Sequence, residues 1–324
     1  MLCMKKYILL YSNKKNEDNI CLTNMFKNNR QINIGWNDFD IKSDMKVIDE
    51  LVNEGYEELI FGGFETGWDI LISNVKDKYH DLIVKVICNT QDSLLYYDYE
   101  RDNFFKLLEL TKNKIVDEIA FLRKSQYELY KELGYSCCYL LENYVLDKKI
   151  DIEKHSDDKI YLGVYPLSYT WDKNIFNQLC VGKMLDNSII RYNCLDERMK
   201  DFLDTMHIDS IPVKLSDIND QVIINEVIKN DVVIATSFTE YLHPLFLIAM
   251  ELGIPCLIGN NSDFFDDCLE LKEYVVTSAE DNAIINSEMI NKLLSNRNKV
   301  INLYHKWKKE YNQRAEESIK QFIG

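Results

Sequence analysis

Glu240 is the carboxylate best placed for chemistry in this 324-residue chain. It closes the segment Asp231–Glu240 (DVVIATSFTE), in which an apolar, β-branched run gives way to polar residues just before the helical pattern of PLFLIAMEL. Gly253 then ends that helix, Pro255 prevents its continuation, and Cys256-Leu257-Ile258 enters another strand. In open α/β sheets, ligands bind beyond the carboxyl ends of strands, where helix N-termini present free amides. A carboxylate at that position accepts two directed hydrogen bonds from ligand hydroxyls. Its alternative role is a plain helix cap that suits the dipole.

Other chemistries find little support. The nine cysteines are scattered, with no C-x-x-C pair and no histidine spacing of a zinc site. Vicinal Cys137-Cys138 lies in an apolar run and reads as buried thiols. An odd count without a framework predicts a reducing, cytoplasmic compartment. No D-x-D run in a loop precedes an apolar strand, Asp266-Asp267 reads as a helix cap, and no cofactor is expected. No glycine occurs between Met1 and Gly35, which excludes a G-x-G-x-x-G cradle after the first strand.

The elements that must position Glu240 alternate between strand and helix along the whole chain, predicting an α/β fold of βαβ units with mostly parallel sheets. Strands are expected at Lys6–Ser12, Ile32–Trp36, Glu57–Gly63, Leu82–Cys88, Glu118–Leu122 and Ser136–Leu141. After the polar stretch Asp147–Asp158 the pattern restarts, with strands at Lys159–Tyr165, Ser188–Tyr192, Ile211–Leu215, Asp231–Ser237 and Tyr274–Thr277 and helices between them. The division is a first domain over 1–150, a second over 151–305 and a charged C-terminal helix over 306–324 that packs back across both. Two α/β domains of similar size imply a cleft between them, a preferred place for ligands.

The net charge of −15 disfavours nucleic acid and anionic membranes as general partners. Apolar residues make up 46%, enough for two cores. No stretch approaches ~18 consecutive apolar residues, and MLCMKKYILLYS reads as a first strand rather than a signal peptide.

Ser237-x-x-Glu240, Pro244, Ala249-Met250 and Gly253-Ile254-Pro255 together resemble the signature of glycosyltransferase family 4, roughly S-x-x-E-G-F-G-x-x-x-x-E-A-M-x-x-G-x-P. Asn143 and Asp147 match that family's N-G-V-D turn, with Tyr144 in place of the glycine, and Lys173-Asn174 stands at its K-G position. The resemblance covers most of the second half and part of the first. It implies the GT-B fold and transfer of a sugar from a nucleotide-sugar, such as a UDP-sugar, with retention of configuration and without a metal. Glu240 would hold the donor's hydroxyls and Lys173 would neutralise the leaving diphosphate. Asn174, Ser237, Thr239, Tyr241 and His243 would complete the donor site; the alternatives are a helix-surface amide at Asn174 and a structural hydrogen-bonder at His243.

Departures from the signature are informative. The second glutamate, expected to grip the ribose, is Ile248, and Glu251 is the nearest substitute, about 60° round the helix from it. Tyr241-Leu242-His243 replaces G-F-G, and GVYPLSYTW lacks the family's arginine. In the first half Asn89 stands where relatives carry a histidine. Asn89, Thr90 and Asp92 are the acceptor-side candidates, with turn formation as the alternative. Arg101 and Lys124 would neutralise an anionic acceptor or the diphosphate. Tyr96, Tyr97 and Tyr99 would line a sugar surface or half-bury in a helix.

The expected function is therefore a glycosyltransferase acting on a glycan, lipid-linked or protein acceptor, with a peripheral membrane or a partner transferase as further contacts. The rivals are a non-catalytic GT-B subunit that binds a glycan or steadies a transferase, favoured by the lost glutamate, and a GT-B sugar-nucleotide epimerase, disfavoured by the lack of a first-lobe acid–base cluster.

Overall fold

The computed structural model describes residues 6–12, 25–26, 28–32, 41–141, 158–215, 220–239, 244–261 and 265–324. The polar stretch at 147–158 and the Asn143–Asp147 turn lie outside these residues, Asp158 excepted. The chain divides into two compact units, Met1–Tyr144 with Tyr311–Gly324, and Val145–Glu310.

The first unit contains β1 (Tyr7–Ser12), β2 (Asn29–Ile32), α1 (Ile41–Asn53), β3 (Glu58–Gly62), α2 (Trp68–Lys78), β4 (Ile83–Cys88), α3 (Asp98–Lys112), β5 (Glu118–Phe121), α4 (Lys124–Glu132) and β6 (Cys137–Tyr139). The six strands are parallel in the order β2-β1-β3-β4-β5-β6. All five residues of β3 (ELIFG) are buried, as a parallel strand covered on both faces requires. Helices cover the sheet through Ile48, Leu51, Trp68, Leu71, Phe104 and Leu107, which pack into one cluster with the strands. In β2, Asn29 to Ile32 pair with Leu9 to Ser12 of β1, and the expected strand Ile32–Trp36 lies, Ile32 excepted, outside the described residues. Cys137 and Cys138 are half-buried rather than buried, and desolvation raises both thiol pKa values.

The second unit contains β7 (Ile160–Val164), α5 (Ile175–Met184), β8 (Ser188–Asn193), α6 (Glu197–Thr205), β9 (Ser210–Val213), α7 (Asp220–Val227), β10 (Val232–Ala235), α8 (Pro244–Glu251), β11 (Cys256–Gly259), α9 (Leu269–Val275), β12 (Val276–Thr277) and α10 (Ala283–Ser295). Its sheet is also parallel, in the order β12-β11-β10-β7-β8-β9. The first three strands, β7 to β9, run outward in one direction, and the chain then returns to the other side of β7 to lay down β10 to β12. Tyr274, expected in a strand, belongs to α9, because Leu271 and Val275, four apart, are both buried.

The last helix, α11 (Arg297–Phe322), contributes to each unit in turn. In the second unit the Trp307 indole donates to Asp267 at 3.2 Å. In the first unit Lys85 of β4 pairs with Glu58 at 3.1 Å and Glu118 at 3.5 Å and also donates to the Phe322 carbonyl, so a half-buried cation caps the helix end. Among the described residues, no helix is long and apolar enough to cross a membrane.

Candidate functional site

In the second sheet the strand order reverses between β7 and β10. Loops leaving the carboxyl ends of two strands that flank such a reversal diverge to opposite sides and open a crevice. Here those loops are 165–174, which carries Lys173, and 236–239, which carries Ser237 and Thr239.

Asp172 holds the two loops together. It is 3% exposed. Its Oδ2 accepts from Thr239 Oγ1 at 2.9 Å, and its carbonyl accepts from the Phe238 amide at 2.8 Å. Lys173 Nζ lies 3.7 Å from the same carboxylate oxygen. The lysine ends a 3-10 turn (Trp171–Lys173), and Asn174 follows in the left-handed conformation (φ 51°, ψ 36°) as the residue before α5. Asparagine tolerates that region better than other non-glycine residues. Its side chain then bridges outward: Nδ2 donates to the carbonyls of Thr236 (2.9 Å) and Glu280 (2.7 Å), while Oδ1 accepts from Asn177 at 2.7 Å. Gln178 fixes the Lys173 carbonyl at 2.7 Å. The turn that presents Lys173 is thus pinned on both sides.

β11 approaches closely at the same edge. A Cβ on Gly259 would sit 2.8 Å from Glu280 Cγ and 2.9 Å from the Ser237 carbonyl, so only glycine fits. Asn260 donates its amide to Glu280 Oε1 at 2.7 Å, and Asn261 Nδ2 reaches the Ser237 carbonyl at 2.5 Å. Lys173 and Ser237 share a small cavity with Tyr165, Pro166, Gln178 and Leu245. The arrangement sets one cation and a row of backbone and amide groups at a sheet edge, a combination suited to an anionic ligand bearing hydroxyls.

No protein-family model and no curated protein matches the sequence. Solved structures do match over nearly the whole length. Anabaena HepE in complex with UDP-glucose is 12% identical with a TM-score of 0.66, covering 98% of each chain. The lipopolysaccharide outer core galactosyltransferase WaaB is 9% identical with a TM-score of 0.65, again over 98% of each. Sucrose-phosphate synthase from Thermosynechococcus elongatus is 9% identical at a TM-score of 0.65, over 99% of this chain and 95% of its own. The chain has the GT-B fold.

Within this GT-B fold, Lys173 and Ser237 line one cavity, and Thr239 bonds the Asp172 carboxylate that lies beside Lys173. Glu240, Tyr241 and His243 lie outside the described residues. Two donor-side expectations are revised. Both amide hydrogens of Asn174 go to protein carbonyls, so it braces the site instead of donating to a sugar or phosphate. Glu251 does not replace the missing glutamate: its Oε1 accepts from Tyr304 at 2.7 Å and pairs with Lys308 at 2.6 Å, both on α11. Ile248 is 1% exposed and belongs to the core.

The first-unit candidates are largely structural. Thr90 Oγ1 donates to Glu100 at 2.9 Å, and Asp92 Oδ1 accepts from Gln126 (3.1 Å) and Tyr130 (3.2 Å). Burial, with Asp92 beside it, raises the Tyr130 phenol well above its ordinary value. These bonds are those of the turn alternative. Arg101 pairs with Asp98 at 2.7 Å and Asp102 at 3.4 Å, its charge balanced on its own helix. Lys124 faces Glu128 at 3.9 Å in the same way. Asn89 is different. Its half-buried amide lies over Gly63, whose φ of 103° requires glycine, and a Cβ there would be 3.7 Å from Asn89 Oδ1. Of the three tyrosines, Tyr96 is 73% exposed and meets Tyr97 edge-on at 5.4 Å.

Glu280 was not singled out in the sequence reading. It sits in SAED, a short connection with no motif, and gains a place at the site only because its carbonyl and carboxylate meet Asn174 and Asn260. No local pattern signals that.

Proposed function

We propose that the protein is a nucleotide-sugar-dependent glycosyltransferase whose donor site lies at the β7/β10 edge of the second unit. The observation that carries this reading is Lys173 held beside Ser237 and Thr239 at the reversal of the strand order, by the buried Asp172. Similar folds bear on it as well: HepE is seen with UDP and with UDP-glucose, and WaaB is a galactosyltransferase.

In the proposed reaction the bond from the anomeric carbon to the diphosphate breaks with its electron pair leaving on the diphosphate oxygen. The acceptor hydroxyl oxygen forms the new bond on the same face, with retention, and its proton passes to the departing phosphate. Negative charge therefore grows on the diphosphate in the transition state. A fixed ammonium at Lys173 stabilises that charge without having to reorganise. Glu240 holds the sugar's hydroxyls and orients the anomeric carbon. Asn89 beside Gly63 is the acceptor-side residue, its amide bonded to no side chain or carbonyl among the described residues, and the acceptor is a glycan, a lipid-linked sugar or a protein.

The test is calorimetry and thermal shift with UDP-glucose, UDP-galactose and UDP-N-acetylglucosamine. A donor at ~100 times its dissociation constant stabilises by about 2.7 kcal/mol. Lys173→Ala is expected to weaken that donor about tenfold or more, because the diphosphate contact is charge-assisted. No shift with any of the three, or equal affinity in the variant, overturns the proposal. A second reading, a non-catalytic subunit of this fold, is favoured by the commitment of Glu251 to α11 and of Ile248 to the core. Donor binding without turnover in Glu240-intact protein, whatever acceptor class is supplied, supports that reading instead.

A further inference from the structure

A separate cleft of about 470 Å3 opens in the second unit on the other side of the Lys173 turn. Four aromatic residues line it, Tyr169, Trp171, Phe176 and Phe238, together with the polar Thr170 and Asn177, and none of its described lining residues is charged. Trp171 is 57% exposed and Phe176 38%, a large apolar area for a surface position.

The rings are fixed in place. Trp171 stacks on Phe238 (6.1 Å, 28° between planes), and the Phe238 backbone is tied to Asp172. Phe176 is braced edge-on by Tyr169 (6.2 Å, 86°) and by Phe202 (5.2 Å, 74°). Tyr169 lies under the Arg198 guanidinium at 4.6 Å, itself held by Asp196 at 2.8 Å. A surface already ordered before binding loses little entropy when a ligand arrives.

We infer that this cleft is a saccharide subsite, taking a neutral sugar ring on the Trp171–Phe238 platform. The volume suits one or two rings. The uncharged lining leaves a diphosphate unpaired, which excludes the donor's anionic part. Flat aromatic faces cover the C–H face of a pyranose, while the Thr170 hydroxyl, 3.2 Å from Ser168 Oγ, and the Asn177 amide are spaced among the rings to meet its hydroxyls. The inference goes beyond the donor-site proposal, since it requires only that sugar bind, with or without transfer.

Saturation-transfer NMR with methyl α-D-glucopyranoside and methyl β-D-galactopyranoside tests it, with excess UDP present to occupy the donor site. Transfer to the ring C–H protons is expected in the parent and a loss of at least fivefold in Trp171→Ala. Phe176→Ala serves as the second variant should Trp171→Ala not fold. No transfer from either glycoside in the parent, equal transfer in the folded variants, or displacement of the glycoside by uridine overturns the inference, the last by making the cleft a nucleobase site. UDP affinity is measured on the same samples: its absence with glycoside binding intact refutes the donor-site reading and leaves the subsite standing.

Discussion

The Thr239 hydroxyl donates to the buried carboxylate of Asp172 across 2.9 Å, joining the loop after β10 to the loop after β7. These residues are 67 apart in sequence. Asp172 also lies 3.7 Å from Lys173 Nζ, so one carboxylate orders the cation and the opposite loop together.

Asp172 is on this account a positioning residue. Asp172→Ala is expected to lower donor affinity about tenfold, or ~1.4 kcal/mol, and to lower Tm as well. Asp172→Asn retains an acceptor for Thr239 but loses the charge beside Lys173. It should restore most of the Tm and only part of the affinity. Calorimetry on both variants checks this split, and equal rescue of the two quantities would assign Asp172 to folding alone.

The α8 residues Ile248 and Glu251 have distinct structural tasks. Ile248→Glu places a carboxylate at a position 1% exposed, and a loss of about 3 kcal/mol or more is expected, read from denaturant unfolding. Glu251→Gln weakens the bonds to Tyr304 and Lys308, at a cost of about 1.5–3 kcal/mol. Donor affinity should stay as in the parent, which a direct donor-site role for Glu251 would not allow.

Glu226 gives a pH dependence with a definite sign. Burial alone would raise its pKa, but Lys229 at 2.5 Å and Arg191 at 2.7 Å outweigh it and hold the carboxyl below its ordinary 4.5. A depressed carboxylate stabilises the fold above its unfolded value and loses that contribution as pH falls through the folded one. The Tm gap between parent and Glu226→Gln is therefore expected to be widest near pH 7 and to narrow progressively below about pH 4.5. A gap independent of pH would remove the ion pairs as its cause.

Local pattern alone determined much of this protein. Apolar runs such as LIF and VVIA read as covered parallel strands, and Gly253 with Pro255 as a helix end, because these are preferences of the backbone and of burial. From them follow the βαβ alternation and the placing of Lys173 and Ser237 at strand ends. Contacts between distant segments decided the rest. Nothing near Asn174 announces that its amide will be spent on Thr236 and Glu280, and nothing near Glu251 announces Lys308 on α11. A polar side chain is free for a ligand only when no folded neighbour reaches it first, and the carbonyls that take the Asn174 amide and the partners of Glu251 and Asp92 come from 34 to 106 residues away. Which polar groups face a ligand is therefore set by tertiary structure, whereas the edge of the sheet on which they gather is already set by the order of strands and helices.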